Sequence, residues 1–264
     1  MEGLRFALRE RLLKSVVVRD GSHTYRFRCG TPLETWRART LFVKEEGTIR
    51  WLRRTLRESE VFYDVGANIG LYTIVASRLV GKTGQVVAFE PHVGNVESLL
   101  YNLRENDAAA NVRVISAALN DVEGYFDFHY RSALPGSAIS QLHHARDDFD
   151  RPFTPVFTEY KWATTIDRLV SDGVIRPACH VKIDVDGNEL LVLRGMSAVL
   201  KSAERPRTVQ VEVNVPTRLE ISRFMTAHGY AAVERHYTQG GRAHVEAGGD
   251  PEAIGYNVIF EGMG

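Results

Sequence analysis

The sequence predicts an α/β fold: a mostly parallel sheet with helices on both faces, preceded by a small N-terminal β/α appendage. Three observations carry this. From residue 61 onward, compact apolar runs alternate with amphipathic stretches at helical spacing, the pattern of repeated strand–crossover–strand units. The first run, Val61–Val65, passes straight into a glycine turn and then a helical stretch. Apolar residues make up 44% of the chain against 25% charged, which suits a packed core and fits disorder poorly.

The elements follow in order. Ser15–Arg19 and Thr24–Cys29 read as short β runs around the Asp20-Gly21 turn. Pro32 opens a helix to Arg39. A second helix is expected from Gly47 or Thr48 to Glu58; Ile49, Leu52 and Leu56 recur at helical spacing, with arginines on a solvated face. Val61–Val65, Gln85–Phe89, Val112–Ala117, His180–Asp184 and Thr208–Val213 read as strands, and Tyr125–Tyr130 as a further strand or hairpin arm. Leu71–Leu79, Asn95–Asn106, Glu189–Gly195 and Leu219–His228 read as helices. Asp186 or Asn188 is available to cap the third, and Gly229 stops the fourth. Strands near Tyr230–His236 and Tyr256–Glu261 complete the series.

Arg131–Lys161 breaks the rhythm. It holds Pro135, Pro152 and Pro155, the adjacent His143 and His144, and the acids Asp147, Asp148 and Asp150. It reads as a partly ordered insertion, helical around Ile139–Arg146, either lying over the site or forming a plain surface loop. The length of 264 residues admits one large domain or two small ones. The pattern favours an appendage at residues 1–43 and one domain at 44–264, interrupted at about 131–161.

Charge narrows the partners. Lys plus Arg and Asp plus Glu number 33 each, so bulk charge does not hold the chain on nucleic acid or an anionic membrane. No apolar run approaches the ~18 residues of a membrane span, and Met1–Arg11 lacks a signal-peptide core. Cys29 and Cys179 form neither a metal-ligand spacing nor a disulfide framework; two thiols in a reducing cytosol are expected. A cytoplasmic location follows.

The strongest local signal is Asp64-Val65-Gly66-Ala67-Asn68-Ile69-Gly70. Gly66 lets the backbone turn, Gly70 allows close approach at the helix start, and Asn68 is a residue that tolerates φ > 0. Such a turn sets amides and a helix N-terminus against polar oxygens. Asp64 would repel a pyrophosphate but suits a ligand bearing an ammonium and a sulfonium. Glu90, before Pro91 and about 20 residues past Gly70, is placed to accept from both hydroxyls of a ribose. Acid, glycine turn and second acid describe a pocket for S-adenosylmethionine. Ser116 and Ala117, ending the third strand, are expected beside the adenine. Glu45 and Thr48, before the second helix, are placed to meet the cofactor's amino group or simply to complement the helix start.

These residues resemble a known family. Asp64–Gly70 with Leu71-Tyr72-Thr73, then Phe89-Glu90-Pro91-His92, Thr164–Leu169, Val181–Glu189 and Leu193-Arg194-Gly195 look like the FkbM-type methyltransferases. The likeness runs from Lys44–Thr48 through Val209–Asn214, outside the long insertion. Asp186 departs from the pattern, which often has Glu there. The resemblance implies a class I, Rossmann-like methyltransferase that uses S-adenosylmethionine to O-methylate a hydroxyl of a natural product or a sugar.

Methyl transfer is an in-line displacement, and an alcohol oxygen needs its proton removed or shared. Asp184 and Glu212 stand at strand ends where ligands bind in this fold class, with Lys182 on the same face as Asp184. They are expected to border the reacting oxygen. A bolder reading makes Asp184, Glu212 and Asn214 oxygen ligands of Mg²⁺. His143 and His144 compete as bases from the insertion and, with Asp186 and Asn214, as acceptor contacts; His92 is expected to pack near the cofactor. Three other classes stay open: a nicotinamide-dependent oxidoreductase, which the loop spacing and Asp64 oppose; a nucleic-acid methyltransferase, opposed by Asp184-Val185-Asp186-Gly187 where a double-proline turn belongs; and a silent binding module.

Overall fold

A seven-stranded sheet divides the molecule, and its strand order decides where a ligand can sit. The computed structural model describes residues 14–147 and 149–263. Part of the expected appendage, residues 1–13, lies outside the described residues, as does Asp148 of the acidic run.

β1 (Lys14–Asp20) and β2 (His23–Cys29) form an antiparallel hairpin. α1 (Pro32–Arg39) starts with a capping box: Thr31 Oγ1 accepts from the Glu34 amide while the Glu34 carboxylate accepts from the Thr31 amide. α2 (Glu46–Thr55) stops short of Glu58 because Leu56 turns to extended backbone. Then come β3 (Val61–Val65), α3 (Leu71–Val80), β4 (Gln85–Phe89), α4 (Val93–Glu105) and β5 (Val112–Ile115). A second, smaller sheet follows from β6 (Ala118–Leu119), β7 (Gly124–Tyr130), β8 (Gln141–Leu142) and β9 (Phe157–Thr164). The chain continues through α5 (Ile166–Ser171), β10 (His180–Ile183), α6 (Glu189–Arg194), α7 (Ser197–Lys201), β11 (Thr208–Val213), α8 (Arg218–Ala227), β12 (Tyr230–His236), α9 (Gln239–Glu246) and β13 (Tyr256–Gly262).

The large sheet has the order β12-β13-β11-β10-β3-β4-β5. Five of its strands, β5, β4, β3, β10 and β11, run parallel, and β13 pairs antiparallel with both β11 and β12. Alternation along β3 sends Tyr63 and Val65 into the core under α6 and α8, and Phe62 into the opposite core with Trp51 of α2 and Ile74 of α3. The hairpin's Tyr25 and Phe27 share that second core. Its free edge is met by α4: Asn106 Oδ1 accepts from the Arg26 amide at 3.0 Å and Asn102 Oδ1 from the Arg28 amide at 2.8 Å.

Two sequence expectations need correction. The Val112–Ala117 strand ends at Ile115, because the chain leaves the large sheet to pair Ala118 and Leu119 with β9. The helix expected around Ile139–Arg146 does not form. Ile139 and His143 sit at φ 63° and 70°, which no helix admits, and Gln141–Leu142 pairs with β7 instead. The end of the same segment, from Phe157, is strand rather than loop. Among the described residues no helix is long and apolar enough to cross a membrane.

Candidate active site

The crossovers from β3 lead one way to β4 and β5, while β10 and β11 lie on its other side. The carboxyl ends of β3 and β10 therefore border a topological switch point, where open α/β sheets bind ligands. Gly66 leaves β3 there with φ 80°, and a Cβ on it would overlap the Asp184 carbonyl oxygen. The glycine is demanded by the close approach of β10's exit. Asn68 takes φ 51°, as its type allows. Gly70, at φ 86°, serves packing: a Cβ there would strike Leu99 of α4.

Over this edge lies a cavity of about 150 Å³, running from Glu90, Pro91 and His92 to Asp184, Asp186 and Glu212. A smaller one of about 40 Å³ adjoins it, with Glu45, Ala67, Tyr72 and Lys182 in its wall. Arg37, Lys44, Gly66, Asn68 and Asp184 line both.

At one end the Glu90 carboxylate accepts from the Asn68 amide (2.6 Å), the His92 amide (2.9 Å) and Asn95 Nδ2 (3.4 Å). Burial pushes its pKa up to about 7, with these hydrogen bonds pulling the other way. His92 caps α4: its Nδ1 accepts from the Asn95 amide, so Nε2 is the protonated nitrogen and donates to the Ser132 carbonyl at 2.8 Å. At the other end Lys182, about 1% exposed, puts Nζ 2.7 Å from Asp184 Oδ2 and 3.9 Å from Asp64 Oδ1. Burial opposes its charge, but Asp184 and Asp64 outweigh it and raise its pKa. Burial likewise opposes the Asp184 anion, yet Lys182 and then Lys44 hold its pKa below the usual carboxylate range. Glu212 goes the other way, raised by burial and by the like charges of Asp184, Glu189 and Asp186. An ionised Asp184 thus faces a protonated Glu212, one proton shared by the pair.

The long segment after β7 supplies a strap across this cavity. The Pro135 carbonyl accepts from Thr31 Oγ1 and the Gly136 carbonyl from Arg37 Nε at 2.6 Å. The Ser137 carbonyl accepts from Asn68 Nδ2 (2.8 Å) and Asn95 Nδ2 (3.1 Å), and the Ile139 amide donates to Asp186 Oδ2 at 2.7 Å.

The structure thus brings together Lys182, Asp184, Asp186, Glu212, Glu45, Gly66, Ala67, Asn68, Glu90 and Pro91. It does not bring the rest of the expected set. Asp64 is fully buried behind the cavities, accepting from Thr73 Oγ1 at 2.6 Å; it shares the face of Lys182, whose Nζ lies 3.9 Å from it, but lines neither cavity. Thr48 is buried behind Glu45, beside His236 and Gln210. Ser116 is exposed, and neither it nor Ala117 lines the cavities. His143 and His144 line a separate open groove of about 400 Å³ with Asn188 and Pro216. His143 packs on Phe126 and bonds Asn120 Oδ1 at 3.2 Å. Asn214 is about 2% exposed and outside the cavities. In the acid cluster its place is taken by Asp186: oxygens of Asp184, Asp186 and Glu212 lie within 4.8 Å of one another.

Sequence reasoning missed Arg37 and the strap residues Ser137, Ala138 and Ser140, and gave Asn95 only as a helix start and Tyr72 only as part of a motif. Lys44 entered it only as part of a motif. No local pattern marks Arg37 or the strap residues, since each reaches the site from a distant segment.

Comparison with known proteins places this geometry. A model of the methyltransferase FkbM domain matches residues 64–232. The hexuronic acid methyltransferase AglP of Haloferax volcanii is 28% identical over 197 residues, 74% of this chain and 74% of its own. The methyltransferase sdnD of Sordaria araneosa is 28% identical over 189 residues, 63% of this chain and 72% of its own. Among solved structures, a putative rRNA-methylase from Clostridium thermocellum gives a TM-score of 0.50 at 10% identity, covering 84% of this chain and 97% of that one. At that identity the likeness concerns the fold alone.

Proposed function

The chain belongs to the FkbM methyltransferase family, and from that premise we propose that it is an S-adenosylmethionine-dependent O-methyltransferase acting on a hydroxyl of a sugar or natural product. The family match favours methyl transfer over nicotinamide-dependent oxidation. The residues present fit the methyl donor. A buried acid, Glu90, suits the ribose hydroxyls, and the adjoining cavity, with Glu45 and Arg37 in its wall, suits a group bearing both an ammonium and a carboxylate. When bound, S-adenosylmethionine supplies an activated methyl group on a sulfonium.

The observation that carries the reading is Asp184: a carboxylate in the wall of both cavities, 2.7 Å from the Lys182 ammonium and clustered with Glu212. Asp184 accepts the hydrogen bond of the acceptor hydroxyl, aligns its oxygen, and takes up the proton as the new bond forms. Lys182 keeps Asp184 charged and fixed. The Glu212 proton spares the site a second negative charge until the reacting proton arrives. The hexuronic acid in one relative's name supports a sugar acceptor.

The test is transfer of labelled methyl from S-adenosylmethionine to neutral sugars, uronic acids and hydroxylated natural products. The expected product is a methyl ether, stable to mild alkali. An alkali-labile methyl ester, or label on nitrogen, would refute the hydroxyl assignment. A second reading, Mg²⁺ at Asp184, Asp186 and Glu212, is supported by their spacing and by the repulsion that keeps Glu212 protonated. Activity unchanged after exhaustive EDTA treatment excludes it.

A further inference from the structure

The site carries three cations, and they differ in what already holds them. Lys182 is committed to Asp184 at 2.7 Å and Lys44 to Glu45 at 2.6 Å. Arg37 makes no ion pair among the described residues. Its Nε donates to the Gly136 carbonyl at 2.6 Å, and its side chain lines both cavities. A guanidinium has five donor hydrogens in a planar fork, so one bond to a carbonyl leaves most of that fork unspent. α1 is pinned in the turn before it, by its capping box and by the Ser98 hydroxyl bonding Glu34 at 2.6 Å. The cation is therefore positioned, not trailing in solvent.

We propose that Arg37 binds the α-carboxylate of the methyl donor, clamping its methionine end in the smaller cavity. The inference rests on the cofactor reading above and goes further, to a residue and a functional group. Glu90 marks the ribose end, at the far side of the larger cavity. From there the wall continues past Gly66 and Asn68 into the smaller cavity, which presents both signs to a zwitterionic amino-acid end: Glu45 and Asp184, each paired with a lysine, and Arg37, whose charge no carboxylate there has taken. On the other side of Asp184 the wall holds Asp186 and Glu212, so an anion of the acceptor would meet acids there. A planar guanidinium suits a carboxylate, which it engages with two parallel hydrogen bonds. The bond from Nε to Gly136 also fastens the strap to the same residue, so the strap lies over whatever Arg37 holds.

The test compares two ligands by calorimetry on the full chain. S-adenosylhomocysteine carries the carboxylate; 5′-methylthioadenosine has the same nucleoside and sulfur without the amino-acid end. Arg37→Met keeps much of the apolar stem and removes the charge. It should weaken S-adenosylhomocysteine binding by about 10- to 100-fold, the range of a charged hydrogen bond, and leave methylthioadenosine within about twofold. Arg37→Lys should recover part of the loss. Retained methylthioadenosine binding shows that the variant is folded. Two results would overturn the proposal: S-adenosylhomocysteine affinity unchanged in Arg37→Met, or an equal loss for both ligands, which would assign Arg37 to holding the strap alone. Wild-type protein that binds neither ligand would overturn the cofactor reading itself, and this inference with it.

Discussion

The floor and the roof of the cavity are built in opposite ways. The floor is the edge of the parallel sheet, and its functional groups stand at the ends of adjacent strands: Lys182 in β10 with Asp184 just past it, and Glu212 in β11. The roof is α1 and the strap, where main-chain groups make many of the contacts and side chains reach the site one at a time. The floor carries the acids, and the roof carries Arg37. The difference teaches that the proposed chemistry stands on strands that cannot shift without losing the core, while the proposed hold on the methyl donor stands on segments tied down by a few hydrogen bonds.

The largest expected effect is on the floor. Asp184→Asn keeps the shape but removes the proton acceptor, so kcat should fall by roughly 10²- to 10⁴-fold. S-adenosylhomocysteine affinity, measured by calorimetry, should stay within about threefold, because the ribose end rests on Glu90. If kcat hardly changes, the floor does not carry the chemistry and the comparison fails.

Next comes the boundary between floor and roof. Glu90 joins the glycine loop to α4 and has its pKa pushed up to about 7. Ribose hydroxyls donate to the carboxylate form, so S-adenosylhomocysteine should bind about tenfold tighter at pH 8 than at pH 6. Glu90→Gln should weaken binding and flatten that profile. Unliganded stability has the opposite sign. The folded protein holds this proton more tightly than the unfolded chain does, so this contribution is lost as pH rises from about 4.5 through about 7. Glu189, also raised to about 7, adds to the stability change in the same window. It lines neither cavity, so the Gln variant separates the two.

These two regions were not equally legible in the sequence. Floor residues such as Glu90, Asp184 and Glu212 each follow or end an apolar run, so strand position and alternation locate them without the fold. Where that logic stops, so does the reading. Alternation pairs Asn214 with Glu212, but β11 ends at Val213, and the third acid is Asp186, turned into place at φ 56°. Asp64 was legible as a motif, yet it lies behind Lys182, buried against Thr73. The roof left little pattern to read. β9 alternates in the inverse sense, with Tyr160 and Trp162 exposed while Glu159 and Lys161 are half-buried, so its pattern points the wrong face inward. Arg37 meets Gly136 across 99 positions through a main-chain carbonyl, which any residue could supply.

The smallest effect is the sharpest test of the contrast. Ile139 in the strap is half-buried and held at φ 63°, a conformation costing a β-branched residue about 1–2 kcal/mol. Its amide is fixed there by Asp186. Ile139→Gly relieves the strain but gives up some packing and adds about 0.5–1 kcal/mol of unfolded-state entropy. The net change by chemical denaturation should stay within about 1 kcal/mol of zero. Ile183 is fully buried in β10, and the same substitution there removes a core side chain from a strand, at about 3–5 kcal/mol. Equal losses at the two sites would mean that the strap is packed as tightly as the sheet. A small change at Ile139, with S-adenosylhomocysteine still bound, would place the strain in the roof, held by hydrogen bonds to the floor it covers.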